Sequence, residues 1–281
     1  MTGPLVSPDW LKDRLGRPGL KVVDGSWYLP AQNRDARSEF LAGHIPGAVF
    51  FDIDAVSDQF SGLPHMLPDS HAFAAAAGSM GLSERDIIVV YDGSGLFSAP
   101  RVWWTLKVFG ASDVRILDGG LPAWERAGYP LAAGDPRVEP AIFAPRLDRQ
   151  AVADFDAVRT ALEGKAAEVV DARAAARFRG EAPEPRPGLS SGHMPGACNL
   201  PFDRLVDAEG RLIAPEAIRK AFQDAGVDLA RPVVATCGSG VTAAVLVLAL
   251  ARIGKEDVAL YDGSWAEWAA QPGAPIVKNV S

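Results

Sequence analysis

The sequence predicts an α/β fold with two tandem domains, each a mostly parallel sheet with helices on both faces. The main observation is an internal duplication, because the GHIPGA of Gly43–Ala48 returns as the GHMPGA of Gly192–Ala197 after 192 − 43 = 149 residues. Short apolar runs alternate with helical segments in both copies, as parallel sheets require. A Pro-rich stretch without helical period separates the copies. We therefore predict domains at residues 1–134 and 151–281, joined by a linker at 135–150.

The predicted strands follow the same order in the two copies. Each is a short apolar run between helical segments. The first copy contains Lys21–Gly25, Ala48–Asp52, Ile87–Asp92 and Val114–Asp118, and the second contains Glu168–Arg173, Ala197–Phe202, Val233–Cys237 and Val258–Asp262.

Composition excludes several classes of function. The 281 residues are 48% hydrophobic and 22% charged, with a net charge of −7 and no dense Lys/Arg cluster, which argues against a nucleic-acid partner. No apolar stretch is long enough to span a membrane, and the N-terminus lacks a signal-peptide pattern, so we expect a cytoplasmic protein. The four histidines and two cysteines do not take metal-ligand spacing, and we expect neither a metal nor a cofactor.

The segment Pro232–Ala243 predicts a strand, a tight loop and a buried helix. Val233–Ala235 is short and β-branched, which favours a central parallel strand. The following run, Ala244–Leu250, is apolar nearly all round, so we expect protein to cover every side of that helix. Cys237 then lies at the carboxyl end of a buried strand.

This placement favours a reactive thiolate at Cys237. Gly238 and Gly240 allow the loop to curl with several N–H groups pointing inward, and the helix N-terminus adds a partial positive charge. Such a loop, continued by Val241 and Thr242, is suited to binding an anion. Cys198, in contrast, aligns with Val49 of the first copy and is expected to be a buried apolar residue.

Two enzyme classes place a cysteine in such a loop, the cysteine phosphatases and the rhodanese-like sulfurtransferases. A phosphatase or arsenate reductase needs an Arg six residues after the Cys, where this chain has Ala243. The string Cys-Gly-Ser-Gly-Val-Thr resembles the active-site loop of the 3-mercaptopyruvate sulfurtransferase family, whereas thiosulfate-using rhodaneses typically carry basic residues there.

The resemblance extends over both copies of the repeat. The patterns around His44 and Trp268 are similar to the amino- and carboxy-terminal signatures of rhodanese domains. We expect His44 and His193 to fix turns by hydrogen bonding, and Trp124 and Trp268 to pack in the cores. Two tandem rhodanese-like domains are therefore implied.

Asp92 occupies the position of Cys237 in the first copy. A carboxylate cannot carry sulfane sulfur, so the first domain is expected to be catalytically silent. The resemblance then implies a single active site at the domain interface.

The family resemblance also implies the other site residues. Arg177 and Arg186, at the two ends of a Pro-rich segment, match arginines that bind the substrate carboxylate, while Arg179 is left as a surface residue. Ser239 corresponds to a hydroxyl that acts with a His and an Asp of the first domain, which here match His65 and Asp54. These three residues would relay a proton.

The predicted activity is transfer of sulfur from 3-mercaptopyruvate to a thiol or cyanide through a persulfide on Cys237, with release of pyruvate. The partners expected are a small-molecule donor and an acceptor such as a small thiol or a thioredoxin-like protein. A thiosulfate sulfurtransferase is the main alternative, and a non-enzymatic sulfur-relay module is a more distant one.

Overall fold

The computed structural model describes residues 3–278, which form two units of non-consecutive segments. Unit 1 consists of the chain up to Gln59 together with Leu67–Asp148 and Val206–Leu212. Unit 2 consists of Phe60–Met66, Arg149–Leu205 and the chain from Ile213 onward.

Unit 1 contains a five-stranded sheet with the order β1-β5-β4-β2-β3, and every pairing in it is parallel. Its strands are β1 (Leu5–Val6), β2 (Leu20–Asp24), β3 (Ala48–Phe50), β4 (Ile87–Tyr91) and β5 (Asp113–Leu117). Its helices are α1 (Pro8–Lys12), α2 (Ala36–Ala42), α3 (Ser70–Ser79), α4 (Ala99–Val108) and α5 (Gly120–Arg126).

Unit 2 repeats this architecture, with a parallel sheet in the order β6-β10-β9-β7-β8. Its strands are β6 (Val152–Ala153), β7 (Glu168–Asp171), β8 (Cys198–Asn199), β9 (Val233–Thr236) and β10 (Val258–Tyr261). Its helices are α6 (Phe155–Gly164), α7 (Ala175–Arg179), α8 (Pro215–Asp224), α9 (Ala243–Arg252) and α10 (Ser264–Trp268).

The predicted α/β architecture with two parallel sheets is confirmed. The eight predicted strands all form, within a few residues of the expected bounds. The sequence pattern missed β1 and β6, which are only two residues long and therefore too short for a period to be visible. Each of them pairs only with β5 or β10, so each lies at the edge of its sheet.

The core strand and helix of unit 2 are buried as predicted. All four residues of β9 are buried, and so are Ala243–Leu250 of α9. A helix buried on every side cannot use amphipathic patterning to fix its rotation, so packing of these small and branched side chains must do so. The result is a rigid scaffold on both sides of the loop that carries Cys237.

The duplicated histidines fix turns by hydrogen bonding, and the duplicated tryptophans pack in the cores, as expected. The ring nitrogens Nδ1 of His44 and His193 lie 2.8 Å from the carbonyl oxygens of Phe40 and Phe178, and each ring stacks on the same phenylalanine. Trp124 and Trp268 are buried, and their indole N–H groups donate to Pro130 and Pro275.

Each unit includes a segment from the other copy of the repeat. Phe60–Met66 belongs to unit 2 and Val206–Leu212 belongs to unit 1, and 206 − 60 = 146 residues separate the two segments. This shift is close to that of the repeat, so the same segment of each copy is exchanged. Consequently His65 lies in the first copy by sequence but in unit 2 by structure.

The Pro-rich segment after Gly134 packs on unit 1. Residues 135–148 contain no helix or strand. Their backbone nevertheless hydrogen-bonds to Gly78, Phe109 and Val108, and the buried ring of Phe143 meets Phe73 edge-on.

No helix among the described residues has the length and hydropathy that a bilayer span requires.

Candidate active site

Cys237 directly follows β9 and is only 2% exposed. Helix α10 fixes its backbone: the carbonyl oxygens of Cys237 and Gly238 accept the N–H groups of Trp265 and Ala266 at 2.9 and 3.0 Å. The N–H of Cys237 donates to Oγ of Ser264 at 3.3 Å. Ser264 has φ 49, a left-handed conformation that is costly for a residue with a side chain. The thiol is therefore placed by several independent restraints.

Ser239 and His65 form a buried hydroxyl–imidazole pair in unit 2. Ser239 Oγ lies 3.0 Å from His65 Nδ1, and the two residues are 6% and 4% exposed. The carbonyl oxygen of Ser239 is 3.3 Å from the same nitrogen. His65 also has a left-handed φ of 62, so its backbone is held in a conformation that the surroundings must enforce. Depending on the ring tautomer, Nδ1 accepts the hydroxyl proton or donates to Oγ.

Arg177 lies over the loop beside Cys237. A Cβ atom built on Gly238 would be 3.0 Å from Nη2 of Arg177, so the guanidinium covers this glycine. The side chain of Arg177 is 23% exposed, which leaves it accessible to a ligand. Arg186 is half-buried and lies nine residues further along the same Pro-rich segment.

A buried charge network behind Arg177 was missed by the sequence analysis. Arg173, whose side chain is 0% exposed, donates through Nε and Nη2 to Asp171, through Nη2 to the carbonyl of Gly192, and through Nη1 to Glu184. Burial opposes the charged form of Arg173, but Asp171 and then Glu184 more than offset this, and the pKa of the guanidinium is raised. The available signal was Asp171-Ala-Arg173 at the carboxyl end of a buried strand.

The remaining loop residues lie between β9 and α9. Gly240 has φ 80, which an L side chain would adopt only with strain. Gly240 and Val241 are buried, and Thr242 immediately precedes the first residue of α9. Their binding role stays a prediction.

Asp54 lies in unit 1, where it is exposed and its carboxylate accepts the indole N–H of Trp27 at 2.9 Å. Its neighbour Asp52 accepts the backbone N–H groups of Asp54 and Ala55 at 3.0 and 3.1 Å. Asp52 therefore supports the turn, and Asp54 presents its carboxylate to another side chain. A role for Asp54 in proton transfer stays a prediction.

Asp92 fills the loop of unit 1 with its own carboxylate. Oδ1 accepts the N–H of Ser94 at 2.8 Å, and Oδ2 accepts those of Phe97, Ser98 and Ala99 at 2.8 to 2.9 Å. The loops after Asp92 and Cys237 share the sequence Gly-Ser-Gly, and they contain six and five residues before α4 and α9. In unit 1 the loop thus directs its N–H groups at the side chain that follows the central strand.

Cys198 differs from Cys237 in its surroundings. It is half-buried on β8, so the prediction of a buried residue is wrong. The reason is that β8 is an edge strand of only two residues, paired to β7 alone. Burial, and then the carboxylate of Glu168, raise the pKa of the Cys198 thiol, which disfavours the nucleophilic form. Both cysteines are free thiols.

Among residues 3–278 there is no group of three or more His, Cys, Asp or Glu side chains that could hold a metal ion.

Comparison with known proteins identifies the family of this chain. The rhodanese-like domain model matches residues 7–127 and 154–271. The 3-mercaptopyruvate sulfurtransferase of Rattus norvegicus is 49% identical over 95% of this chain and 93% of its own length. The thiosulfate sulfurtransferase of Cricetulus griseus is 44% identical over 99% of this chain and 95% of its own length.

Among solved structures, SseA from Escherichia coli, described as a 3-mercaptopyruvate sulfotransferase with the rhodanese fold, superposes with a TM-score of 0.88. It is 42% identical, and the match covers 94% of this chain and 99% of SseA. Both halves of the chain thus match one domain model, and the relatives match along nearly their whole length. The chain belongs to the rhodanese family, in the group of two-domain sulfurtransferases that includes the 3-mercaptopyruvate sulfurtransferases.

Proposed function

We propose that the protein transfers sulfur from 3-mercaptopyruvate to a thiol or cyanide through a persulfide on Cys237. The observation that carries this proposal is the contact of 3.0 Å between Ser239 Oγ and His65 Nδ1, two residues from the buried cysteine. A thiol with an adjacent proton-transfer pair suits a donor whose carbon–sulfur bond must be broken. The names of the relatives from rat and Escherichia coli point to the same donor.

In the first half-reaction the Cys237 thiolate attacks the sulfur atom of 3-mercaptopyruvate. A sulfur–sulfur bond forms, and the carbon–sulfur bond breaks with its electron pair passing to the methylene carbon, which gives the enolate of pyruvate. The thiol proton of the substrate ends on that carbon. The products are the Cys237 persulfide and pyruvate, and neither an external oxidant nor a reductant is needed.

The proton has to leave one atom of the substrate and arrive at another, and Ser239 with His65 fits this task. The hydroxyl of Ser239 can donate a proton to the developing enolate, while the imidazole of His65 returns a proton to the hydroxyl. Burial of both residues keeps bulk water away and strengthens the interaction with developing charge. Asp54 would complete the relay, as in the family pattern.

The substrate carboxylate needs a fixed cationic partner, and Arg177 is the candidate nearest to the loop. Its guanidinium covers Gly238, so a carboxylate bound to it would lie beside Cys237. An Arg fork can bind a carboxylate through two parallel hydrogen bonds. Arg186 is proposed as the second arginine.

In the second half-reaction an acceptor attacks the outer sulfur and regenerates the thiolate of Cys237. We propose a small thiol or a thioredoxin-like protein as the acceptor, and a cytoplasmic location. Both cysteines are free thiols, a state that a reducing compartment preserves, and this supports the proposed location.

The proposal is tested by measuring the intact mass of the protein after incubation with 3-mercaptopyruvate. We expect the mass of one added sulfur atom and an equimolar amount of pyruvate. The added mass should be lost on treatment with a thiol and absent in Cys237→Ser. Pyruvate release without any persulfide on Cys237 would contradict the mechanism.

Thiosulfate is the second donor to test, because a relative at 44% identity carries the name thiosulfate sulfurtransferase. Gly238 and Ser239 contribute no positive charge to the loop, which disfavours a dianionic donor. We therefore expect thiosulfate to be used with a lower kcat/KM than 3-mercaptopyruvate. The reverse order in parallel assays would make thiosulfate the donor.

A further inference from the structure

The carboxylate of Glu184 lies between two arginines in unit 2 and is only 2% exposed. Oε1 accepts from Nη1 of Arg173 at 2.8 Å and from Nε of Arg177 at 3.2 Å, while Oε2 accepts from Nη2 of Arg177 at 2.5 Å. A carboxylate without solvent requires such compensation, since burial of an unpaired charge is very costly. Its position is therefore closely determined by both partners.

The Arg173 side of this bridge is a rigid support. All three guanidinium nitrogens of Arg173 donate within unit 2. Its Cζ atom lies 4.2 Å from the centroid of the Trp265 ring. Trp265 in turn donates its backbone N–H to the carbonyl of Cys237. Glu184 thus connects Arg177 to the same framework that fixes the reactive cysteine.

The Arg177 side of the bridge is the part open to a ligand. Its side chain is 23% exposed, compared with 0% for Arg173. Glu184 binds the edge formed by Nε and Nη2, so the other edge, Nη1 with Nη2, faces away from Glu184. A guanidinium held along one edge can still fork onto a carboxylate with the second. The Cβ position of Gly238, 3.0 Å from Nη2, places this nitrogen, which belongs to both edges, at the Cys237 loop.

We propose that Glu184 is a positioning residue that orients Arg177 toward the carboxylate of the substrate, an inference that rests on the proposed function. Glu184 does not touch the reacting atoms. It acts by holding one edge of Arg177 still, which lowers the entropy lost when the substrate carboxylate binds.

Orientation and simple charge make opposite predictions for Glu184→Gln. If Glu184 only reduced the positive charge of the site, its loss would strengthen binding of every anionic donor, and KM would fall for 3-mercaptopyruvate and thiosulfate alike. If it orients Arg177, KM for 3-mercaptopyruvate rises while thiosulfate, which has no carboxylate, is much less affected.

The experiment is steady-state kinetics of Glu184→Gln with both donors. We expect KM for 3-mercaptopyruvate to rise about 10- to 100-fold, the range that a lost charge-assisted hydrogen bond implies, with kcat changing less. Release of sulfur from preloaded Cys237 persulfide to a thiol should be unchanged. An unchanged or lower KM for 3-mercaptopyruvate overturns the proposal.

The chain provides a matched control. Glu181 makes the same two-bonded contact with Arg179, at 2.6 and 2.7 Å, but both side chains are more than 40% exposed. Glu181→Gln should therefore leave the kinetics unchanged. A comparable rise in KM in this variant would mean that any loss of charge in the segment has the effect.

A double-mutant cycle tests whether Glu184 acts through Arg177. In an Arg177→Ala background, Glu184→Gln should change KM by less than about twofold, because its target is gone.

If Glu184→Gln fails to fold, Glu184→Asp keeps the charge near Arg173 but is too short to span both arginines, and it should show the same rise in KM. A wild-type KM in Glu184→Asp would overturn the proposal. If the wild type itself releases no pyruvate from 3-mercaptopyruvate, the proposed function is wrong, independently of Glu184.

Discussion

The loop after β4 in unit 1 and the loop after β9 in unit 2 both contain Gly-Ser-Gly, and they differ in the side chain that precedes this sequence. In unit 1 four backbone N–H groups bind the carboxylate of Asp92. In unit 2 the corresponding position is the thiol of Cys237. The N–H groups of the first loop thus have an acceptor from their own chain, whereas the second loop follows a thiol.

The groups nearest to the first glycine of each loop also differ. A Cβ atom on Gly93 would meet Oη of Tyr28 first, and Nη2 of Arg34, which hydrogen-bonds to this phenol, is 3.6 Å from the same position. Burial, and then the hydrogen bond to Glu39, raise the pKa of Tyr28 and keep it protonated. At Gly238 the covering group is the guanidinium of Arg177. The phenol of Tyr28 is therefore the group nearest to the loop of unit 1, and a guanidinium is the group nearest to the loop of unit 2.

The largest effect is expected from removing the thiol. Cys237→Ser should abolish transfer from every donor, because a hydroxyl cannot carry sulfane sulfur. Cys198→Ser should keep most activity, since the pKa of that thiol is raised by burial and by Glu168. Activity is measured as pyruvate release and as persulfide mass. Equal losses in the two variants would rule out a single reactive cysteine.

The hydroxyl–imidazole pair should give the next largest effect. Ser239→Ala and His65→Ala should each slow sulfur extraction from 3-mercaptopyruvate by roughly 10²–10⁴, the usual contribution of a positioned proton-transfer group. The double variant should be little worse than either single variant, because the two groups act as one unit. Pre-steady-state pyruvate release measures this step.

The control for this pair is the second half-reaction. Sulfur release from preloaded Cys237 to a thiol should be nearly normal in both variants, since no enolate forms there. A variant as slow in release as in extraction would show that Ser239 and His65 shape the loop and do not transfer protons.

A smaller effect is expected at the arginines. Arg177→Ala should raise KM for 3-mercaptopyruvate about 10- to 100-fold by removing charged hydrogen bonds to the carboxylate, with kcat less affected. Arg186→Ala should act in the same direction. Arg179→Ala, which removes an exposed guanidinium from the same helix as Arg177, is the control and should match the wild type. Parallel loss with thiosulfate would mean that Arg177 supports the fold.

Local patterns were sufficient to predict much of this molecule. One short stretch contains the strand Val233–Thr236, Cys237 and the apolar helix after it. The hydrophobic pattern of this stretch and its glycines are therefore enough to predict its local geometry. The turns at His44 and His193 were also predictable, because each imidazole bonds to a nearby carbonyl of its own copy.

Contacts between distant segments could not be predicted in this way. Nothing in the sequence around His65 indicates that Phe60–Met66 packs in unit 2, since the repeat assigns it to the first copy. Glu184 lies in a Pro-rich segment with alternating charges, a pattern typical of exposed loops. Its burial results from Arg173, eleven residues earlier, which no periodicity connects to it.

The role of Asp92 as an internal anion can be tested by stability. Asp92→Ala leaves four backbone N–H groups without their acceptor, which should cost about 3 kcal/mol or more. Asp92→Asn should recover part of this, because an amide oxygen can replace Oδ2. Thermal unfolding with and without sulfate measures the effect, and sulfate should stabilise Asp92→Ala more than the wild type.

The control is Asp69→Ala, which removes a carboxylate that accepts only the N–H groups of His71 and Ala72 at the start of α3. It should cost about 1 kcal/mol, the usual value for a helix N-cap. If Asp92→Ala were no more destabilising than this, the carboxylate would not be holding the loop of unit 1.

A pH-dependent effect is expected at the aspartate that ends the neighbouring strand in each unit. Burial, and to a lesser extent the nearby charge of Asp92, raise the pKa of Asp24 to about 6. Asp171, which ends β7 in unit 2, forms an ion pair with the buried Arg173. Folded unit 1 binds the Asp24 proton more tightly than the unfolded chain does. The protonated carboxyl therefore makes its full contribution to the free energy of unfolding below about pH 4, and this contribution is lost as the pH rises through about 6.

Asp24→Asn should therefore have little effect on the stability of unit 1 at pH 4 and should stabilise it at pH 7, by up to about 3 kcal/mol for a shift of this size. The amide oxygen can still accept the N–H of Ser26, which now donates to Oδ1 at 2.9 Å. Asp171→Asn is the matched control and should destabilise unit 2 at pH 7, since it leaves the charge of Arg173 partly uncompensated. Hydrogen exchange of the amides in β2, β4, β7 and β9, corrected for intrinsic rates, reports the two units separately. Equal destabilisation by Asp24→Asn at both pH values would mean that Asp24 is ionised and well compensated, and the contrast between the two aspartates would fail.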